Sequence, residues 1–264
     1  MRMRKGALLS CTAALLCLIG IVVAASGGDL QDRNPIVITS DYEFTAKNGV
    51  VAGSGTVDDP YIIEGWQIDA GYNDYGIRID RTSRYFVIRD VEISGAAKAA
   101  IFLSYVRNAL VQDCKLTGNW VGIIFNFASA NRISGCTLMS NTDGLHLYFS
   151  SDNQVLSNTI ERNDYAIWCD ASNTNEFIGN TLASNHMGIY LELCSQGNLL
   201  YHNTFLDNIH NAHSDDLNKW DYEGEGNYWF NYVGIDADGN GIGDSPYIIS
   251  SDSDQDNFPL LRAP

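Results

Sequence analysis

The feature that most limits what this chain can fold into is a beat of 22 residues. Gly-Leu-His-Leu at 144–147, Ala-Ile-Trp-Cys at 166–169 and Gly-Ile-Tyr-Leu at 188–191 are one phrase repeated at that offset. Asparagine keeps the same beat in three series: Asn131, Asn153, Asn175 and Asn198; Asn158, Asn180 and Asn203; and Asn119, Asn141, Asn163, Asn185 and Asn208. A fixed period in the low twenties marks a solenoid, in which each coil exposes an apolar face until its neighbour covers it.

Within a repeat the apolar residues come as short alternating pairs, as around Val155, Ile160, Ile167 and Cys169, and never at helical spacing over ten residues. A leucine-rich repeat shares the period and an asparagine but needs apolar residues where this chain has none. Ile133, Val155, Phe177 and Leu200 each have Asn two positions before them. The pattern therefore predicts an all-β chain folded as a single-stranded right-handed parallel β-helix, with three short strands per coil. Coils stack at the strand spacing of roughly 4.8 Å. An Asn at one place in every coil is then expected to pass a side-chain hydrogen bond to the next, and to supply the left-handed backbone of the bends.

The first 26 residues read as a signal peptide or an N-terminal anchor, from basic Arg2, Arg4 and Lys5 followed by an apolar run with small residues at its exit. Any membrane attachment is expected only through that segment if uncleaved, and the remainder is expected to be exported to an extracellular, cell-surface or periplasm-like space. One domain is expected over 35–264: an N-terminal cap and first coil at 35–68, repeats at 69–208, and a C-terminal cap at 209–264 that is rich in aromatic and acidic residues. Without the leader, 13 basic residues face 32 acidic ones. That balance excludes nucleic acid as a partner and favours cations. Cys114 and Cys136 share the register later held by Asn158, Asn180 and Asn203, so they are expected to be stacked, as a disulfide or as two small buried residues. Cys169 replaces an inward aliphatic and Cys194 a turn serine, the place of Ser150 and Ser172, so both are expected to pack.

Two places offer chemistry. Asp236, Asp238, Asn240 and Asp244, with Gly241 between them, match a calcium loop in which glycine permits the turn that aims the oxygens at one point. Tyr247 stands where an EF-hand has its bidentate Glu, so a shorter loop of the dockerin type fits better, and Asp252, Asp254 and Asp256 form a second acidic cluster. The other place is the outward side of the repeated strand. Stacking puts Arg78, Phe102, Ile124, His146, Trp168 and Tyr190 in one file, and Asp80, Ser104, Asn126, Tyr148, Asp170 and Glu192 in the file two residues on. Rings beside carboxylates suit a sugar-binding surface, so Phe102, His146, Tyr148, Trp168, Asp170, Tyr190 and Glu192 are the expected ligand contacts. Asp170 and Glu192 are also the expected pair should the chain cleave polysaccharide. Among the histidines only His210 and His213 are close in sequence, and no copper or zinc centre is expected.

At both ends the sequence resembles a known family. Gly-Ser-Gly-Thr-Val-Asp-Asp-Pro-Tyr-Ile-Ile-Glu-Gly-Trp at 53–66, Gly-Asn-Tyr-Trp at 226–229, the acidic glycine loop at 236–247 and Asp-Asn-Phe-Pro-Leu at 256–260 look like the NosD-type right-handed β-helix proteins, especially exported archaeal ones. The resemblance covers essentially the whole mature chain. It implies the solenoid and a division of roles: the namesake is a periplasmic accessory protein in copper-site maturation, while the wider group shares coils with carbohydrate-binding and sugar-cleaving β-helices. No residue matches a copper motif. The expectation is a non-catalytic surface or secreted module that binds a glycan or a cell-surface protein along one flank, stabilised by calcium in its C-terminal cap, ahead of a polysaccharide-cleaving enzyme or a copper accessory protein.

Overall fold

Three strands per coil, each closed by a bend, wind the chain into a right-handed parallel β-helix. This computed structural model describes residues 29–249 and 254–264. The leader over 1–26 and Asp252 lie outside the described residues. One coil shows the plan: Arg132–Ser134, Thr137–Met139 and Asp143–Tyr148 each join a different parallel sheet. The longest strands form the flank sheet, whose eight members run in chain order from Ile36–Ile38 to His210–Ser214. Inward residues alternate with outward ones, so Leu145, Ile167 and Ile189 pair in sequence across the coils and are fully buried. Burying such a side chain contributes roughly 1.5–3 kcal/mol, and the same interior file continues through every coil.

The asparagines make the ladders that the period predicts. Asn131 donates from its backbone N–H and from Nδ2 to Oδ1 of Asn153, at 3.0 and 3.2 Å. Asn153 makes the same pair of bonds to Asn175, and Asn175 to Asn198. Nδ2 of Asn153 also reaches back to the carbonyl of Ala128. The other two series behave alike. A fourth ladder, of serines, runs from Ala128 through Ser150 and Ser172 to Ser195.

Two expectations need correction. The left-handed residue of each bend is not the asparagine but the residue before it: Ala130, Asp152 and Thr174 have φ of 56, 58 and 55°. The asparagine binds the bend of the coil before it rather than forming its own. Cys194 does not take the serine's place. The coil carries one residue more, Ser195 enters the ladder, and Cys194 is exposed. Cys114 and Cys136 are stacked as expected, and both are free thiols. Their sulfurs donate to main-chain carbonyls, Gln112 and Ser134 among them. Burial, and then the neighbouring Cys136, pushes the Cys114 thiol well up.

Both ends are closed. At the start, Gln31–Asp32 adds a strand beside Trp66–Asp69, and Val50–Ala52 lies antiparallel on Tyr61–Glu64. Phe44 covers the interior, stacked on Tyr61 at 4.6 Å. At the far end two of the asparagine ladders finish on buried carboxylates instead of a further coil. Asn198 donates to Asn218, whose N–H meets Asp254, and Asn203 donates to Asn227, whose N–H meets Asp256 at 2.7 Å. The indoles of Trp220 and Trp229 donate to the same two aspartates. Burial raises the Asp256 pKa to about 6.

Removing one rung tests this arrangement. In Asn153→Ala the buried backbone N–H of Asn131 loses its acceptor, at about 1–3 kcal/mol, while its Nδ2 keeps the carbonyls of Val106 and Ser129, so urea unfolding should show a loss of about 2 kcal/mol with an unchanged slope. A loss below about 1 kcal/mol would show that the rung is dispensable.

Candidate functional site

The outward files on the flank sheet are those that numbering predicts. Arg78 pairs with Phe102, Phe102 with Ile124, Ile124 with His146, His146 with Trp168 and Trp168 with Tyr190. The second file runs from Asp80 through Ser104, Asn126, Tyr148 and Asp170 to Glu192. The first file is broken, however, by Ile124. Phe102 lies below the break with Tyr75, at 4.7 Å between ring centroids, and under the Arg78 guanidinium. His146, Trp168 and Tyr190 lie above it, so Phe102 stands apart from the other expected contacts.

Above the break the rings and acids lock diagonally. His146 stacks on Trp168 at 4.8 Å, nearly parallel, and its Nε2 meets Asp170 Oδ2 at 3.1 Å. Trp168 donates its indole N–H to Glu192 at 2.9 Å. Each ring thus reaches the acid one coil on and two residues along, which fixes its orientation. Tyr190 meets Trp168 edge-on at 6.3 Å. Tyr148 touches His146 edge-on and stays exposed.

The carboxylates are crowded and partly dry. Burial raises the Glu192 pKa, and Asp170 beside it raises it further. Asp170 Oδ1 is buried with no hydrogen-bond partner among the described residues. Burial likewise raises the Tyr190 phenol, followed by Glu192 beside it.

Sequence reasoning missed four parts of this flank. Tyr165 stacks on Trp168 at 5.0 Å. His213 continues the file beyond Tyr190 and stacks on it at 4.7 Å, a position the offset of 23 between Asn185 and Asn208 also reaches. Asp143 opens the same strand as His146. Burial lifts its pKa to about 6, with Asp164 and Asp170 adding to the rise. The fourth is a ledge one residue past the second file, where Tyr105, Phe127 and Phe149 stack at 5.1 Å steps. Their numbers also step by 22.

At the C-terminal cap, Asp236, Asp238, Asn240 and Asp244 fall in one loop. Their oxygens are turned onto the loop's own amides: Asp236 accepts from Gly239, Asn240 and Gly241, and Asp244 from Ala237. The Gly241 amide, first among these, holds the Asp236 carboxyl below its ordinary range. The donor types suit a hard cation, which would take over oxygens now bound to amides. Among the described residues no three His, Cys, Asp or Glu side chains are grouped to hold a metal. Donors suited to copper are dispersed. His146 is held by Asp170, His202 by Glu225 and His213 by Asp215, while His210 meets His186 at 5.6 Å rather than His213. These donors do not converge into a copper centre.

Comparison with known proteins fits the geometry to a family. The model of the family described as "Periplasmic copper-binding protein (NosD)" matches residues 36–234. No curated protein matches the sequence. Among solved structures, a pectate lyase is similar over 76% of this chain and 64% of its own, at TM-score 0.52 and 12% identity. The periplasmic alginate epimerase AlgG is similar over 59% and 46%, at TM-score 0.47 and 20% identity. XylC in complex with xylose is similar over 66% and 35%, at TM-score 0.48 and 13% identity. This chain thus spans about half the length of AlgG and a third of XylC. At such identities the likeness is one of fold.

The Asp143 carboxyl gives a pH signature. Its pKa rises from 3.8 to about 6 on folding, so its contribution to stability is complete below the unfolded value and is lost as pH climbs through the folded one. The loss is roughly 3 kcal/mol between pH 4 and pH 7. Wild type and Asp143→Asn, compared by urea unfolding across that window, should diverge by about this amount. A constant difference would show that the group titrates normally.

Proposed function

The chain belongs to the NosD family, and from that premise we propose that it is an exported, non-catalytic solenoid that holds a neutral glycan against its flank sheet. The observation carrying this reading is the diagonal lock of His146 and Trp168 onto Asp170 and Glu192. It fixes aromatic rings beside carboxylates, the combination a sugar-binding surface uses. Tyr148, Tyr165 and Tyr190 border the same surface. The crowding of Asp143, Asp170 and Glu192 opposes an acidic polymer there, which is why the ligand is neutral. The description of the family as periplasmic supports a place beyond the membrane.

One observation favours a second reading, polysaccharide cleavage. Asp170 and Glu192 are register partners, and burial, with Asp170 beside it, raises Glu192. Adjacent strands lie roughly 4.8 Å apart, near the roughly 5–5.5 Å of a retaining carboxylate pair. Affinity electrophoresis in neutral glucans, mannans and xylans separates the two readings. Retention without cleavage, weakened at least tenfold in Trp168→Ala, is expected. Cleavage that disappears in Asp170→Asn establishes the second reading, and no retention on any polymer removes both.

The loop at 236–244 completes the proposal as a calcium site that tightens the C-terminal cap, supported by its oxygen donors around Gly241. An ion bound only by the folded state raises its melting temperature. Melting should therefore come several degrees earlier in chelator than in calcium, and equal melting would remove the ion.

A further inference from the structure

We infer that the N-terminal half of the flank carries a second site, selective for carboxylate-bearing sugars, in the cleft between Arg81, Arg107 and the rings of Tyr105 and Phe127. It stands on observations separate from the His146 cluster and does not rest on the glycan reading of that cluster.

Charge is the first observation. The chain is strongly acidic overall, yet residues 78–115 hold seven basic and four acidic side chains, against four and nineteen from 116 to 264. Five of those seven cations are already neutralised. Arg78 is paired with Asp80, Arg84 with Asp41, Arg89 with Glu64, Lys98 with Asp74 and Lys115 with Glu92. Arg81 and Arg107 are the other two, and neither guanidinium has an ion pair or side-chain hydrogen bond among the described residues. Both line one cleft of about 750 Å³, with Ser83, Ser129, Tyr105 and Phe127. That volume suits a small ligand.

The rings are the second observation. Tyr105, Phe127 and Phe149 are 54, 42 and 48% exposed and stack in consecutive coils. All three sit at φ between 46 and 53°. A left-handed backbone costs an L residue roughly 1–2 kcal/mol, and exposing an aromatic ring recovers none of it. The solenoid does not need rings there, because Ala171 and Leu193 fill the equivalent bends of the next two coils, at φ of 46 and 52°. A strained, exposed stack beside two unpaired guanidiniums has the parts of an acidic-sugar site. The planar fork of arginine matches a carboxylate with two parallel hydrogen bonds, and the rings take the apolar face of the sugar. The Ser83 and Ser129 hydroxyls are left for its hydroxyls.

Isothermal titration of the mature chain with tetragalacturonate, its methyl ester and a sulfated tetrasaccharide tests the assignment. The acid should bind, with affinity falling as salt rises, and the ester at least tenfold more weakly. Arg81→Gln/Arg107→Gln should lose at least tenfold with melting unchanged, since neither side chain has a partner in the fold, and Arg107→Gln alone should lose a substantial part. Phe127→Asn, which keeps a residue tolerant of the bend, should lose several-fold. Trp168→Ala and Asp170→Asn should bind tetragalacturonate like wild type, whatever they do to neutral glycans. No binding of the acid at millimolar concentration, equal binding of the ester, tighter binding of the sulfated sugar, or a folded arginine double variant that binds normally would overturn it.

Discussion

Each bend of this solenoid leaves a main-chain N–H that its own coil cannot satisfy, and an asparagine or serine of the next coil accepts from it. Oδ1 of Asn153 receives both the backbone N–H and the side-chain amide of Asn131. That geometry allows one spacing and one register, because shifting a coil by a residue would strand a buried main-chain donor at each rung. Hydrophobic burial holds the coils together without choosing their alignment. The ladders choose it.

Alignment is what turns a repeat into a surface. With coils in fixed register, a ring and an acid two positions apart in the sequence motif meet diagonally between coils, and Trp168 finds Glu192 as His146 finds Asp170. The same files sort charge along the axis. Unpaired Arg81 and Arg107 stand at one end of the flank, and Asp143, Asp170 and Glu192 crowd the other. The scaffold thereby gains two surfaces of opposite character.

Much of this was legible because period 22 converts numbering into neighbourhood. The three sheets, the stacked Cys114 and Cys136 and both outward files follow from it. What was not legible depends on backbone geometry inside a bend. The pattern cannot tell whether Asn153 or Asp152 adopts φ of 58°, since both residue types tolerate it. One inserted residue passed the ladder from Cys194 to Ser195, because the next serine alone reaches the Ser172 amide. Tyr165 is an inward position by parity, and only the twist at the strand's start brings it onto Trp168. The ledge of Tyr105, Phe127 and Phe149 hid among residues that composition assigns to bends. Asp254 and Asp256 read only as part of an acidic cluster, yet they close two of the ladders beyond the last full coil.

Hydrogen exchange tests the ladders most directly. The backbone amides of Asn131, Asn153 and Asn175 donate to side chains, outside any strand. If those bonds hold the coils in register, the three amides should exchange only through global unfolding, as slowly as the buried strand amides of Leu145 and Ile167. Exchange at the rate of exposed turn amides, while the strands stay protected, would contradict the account.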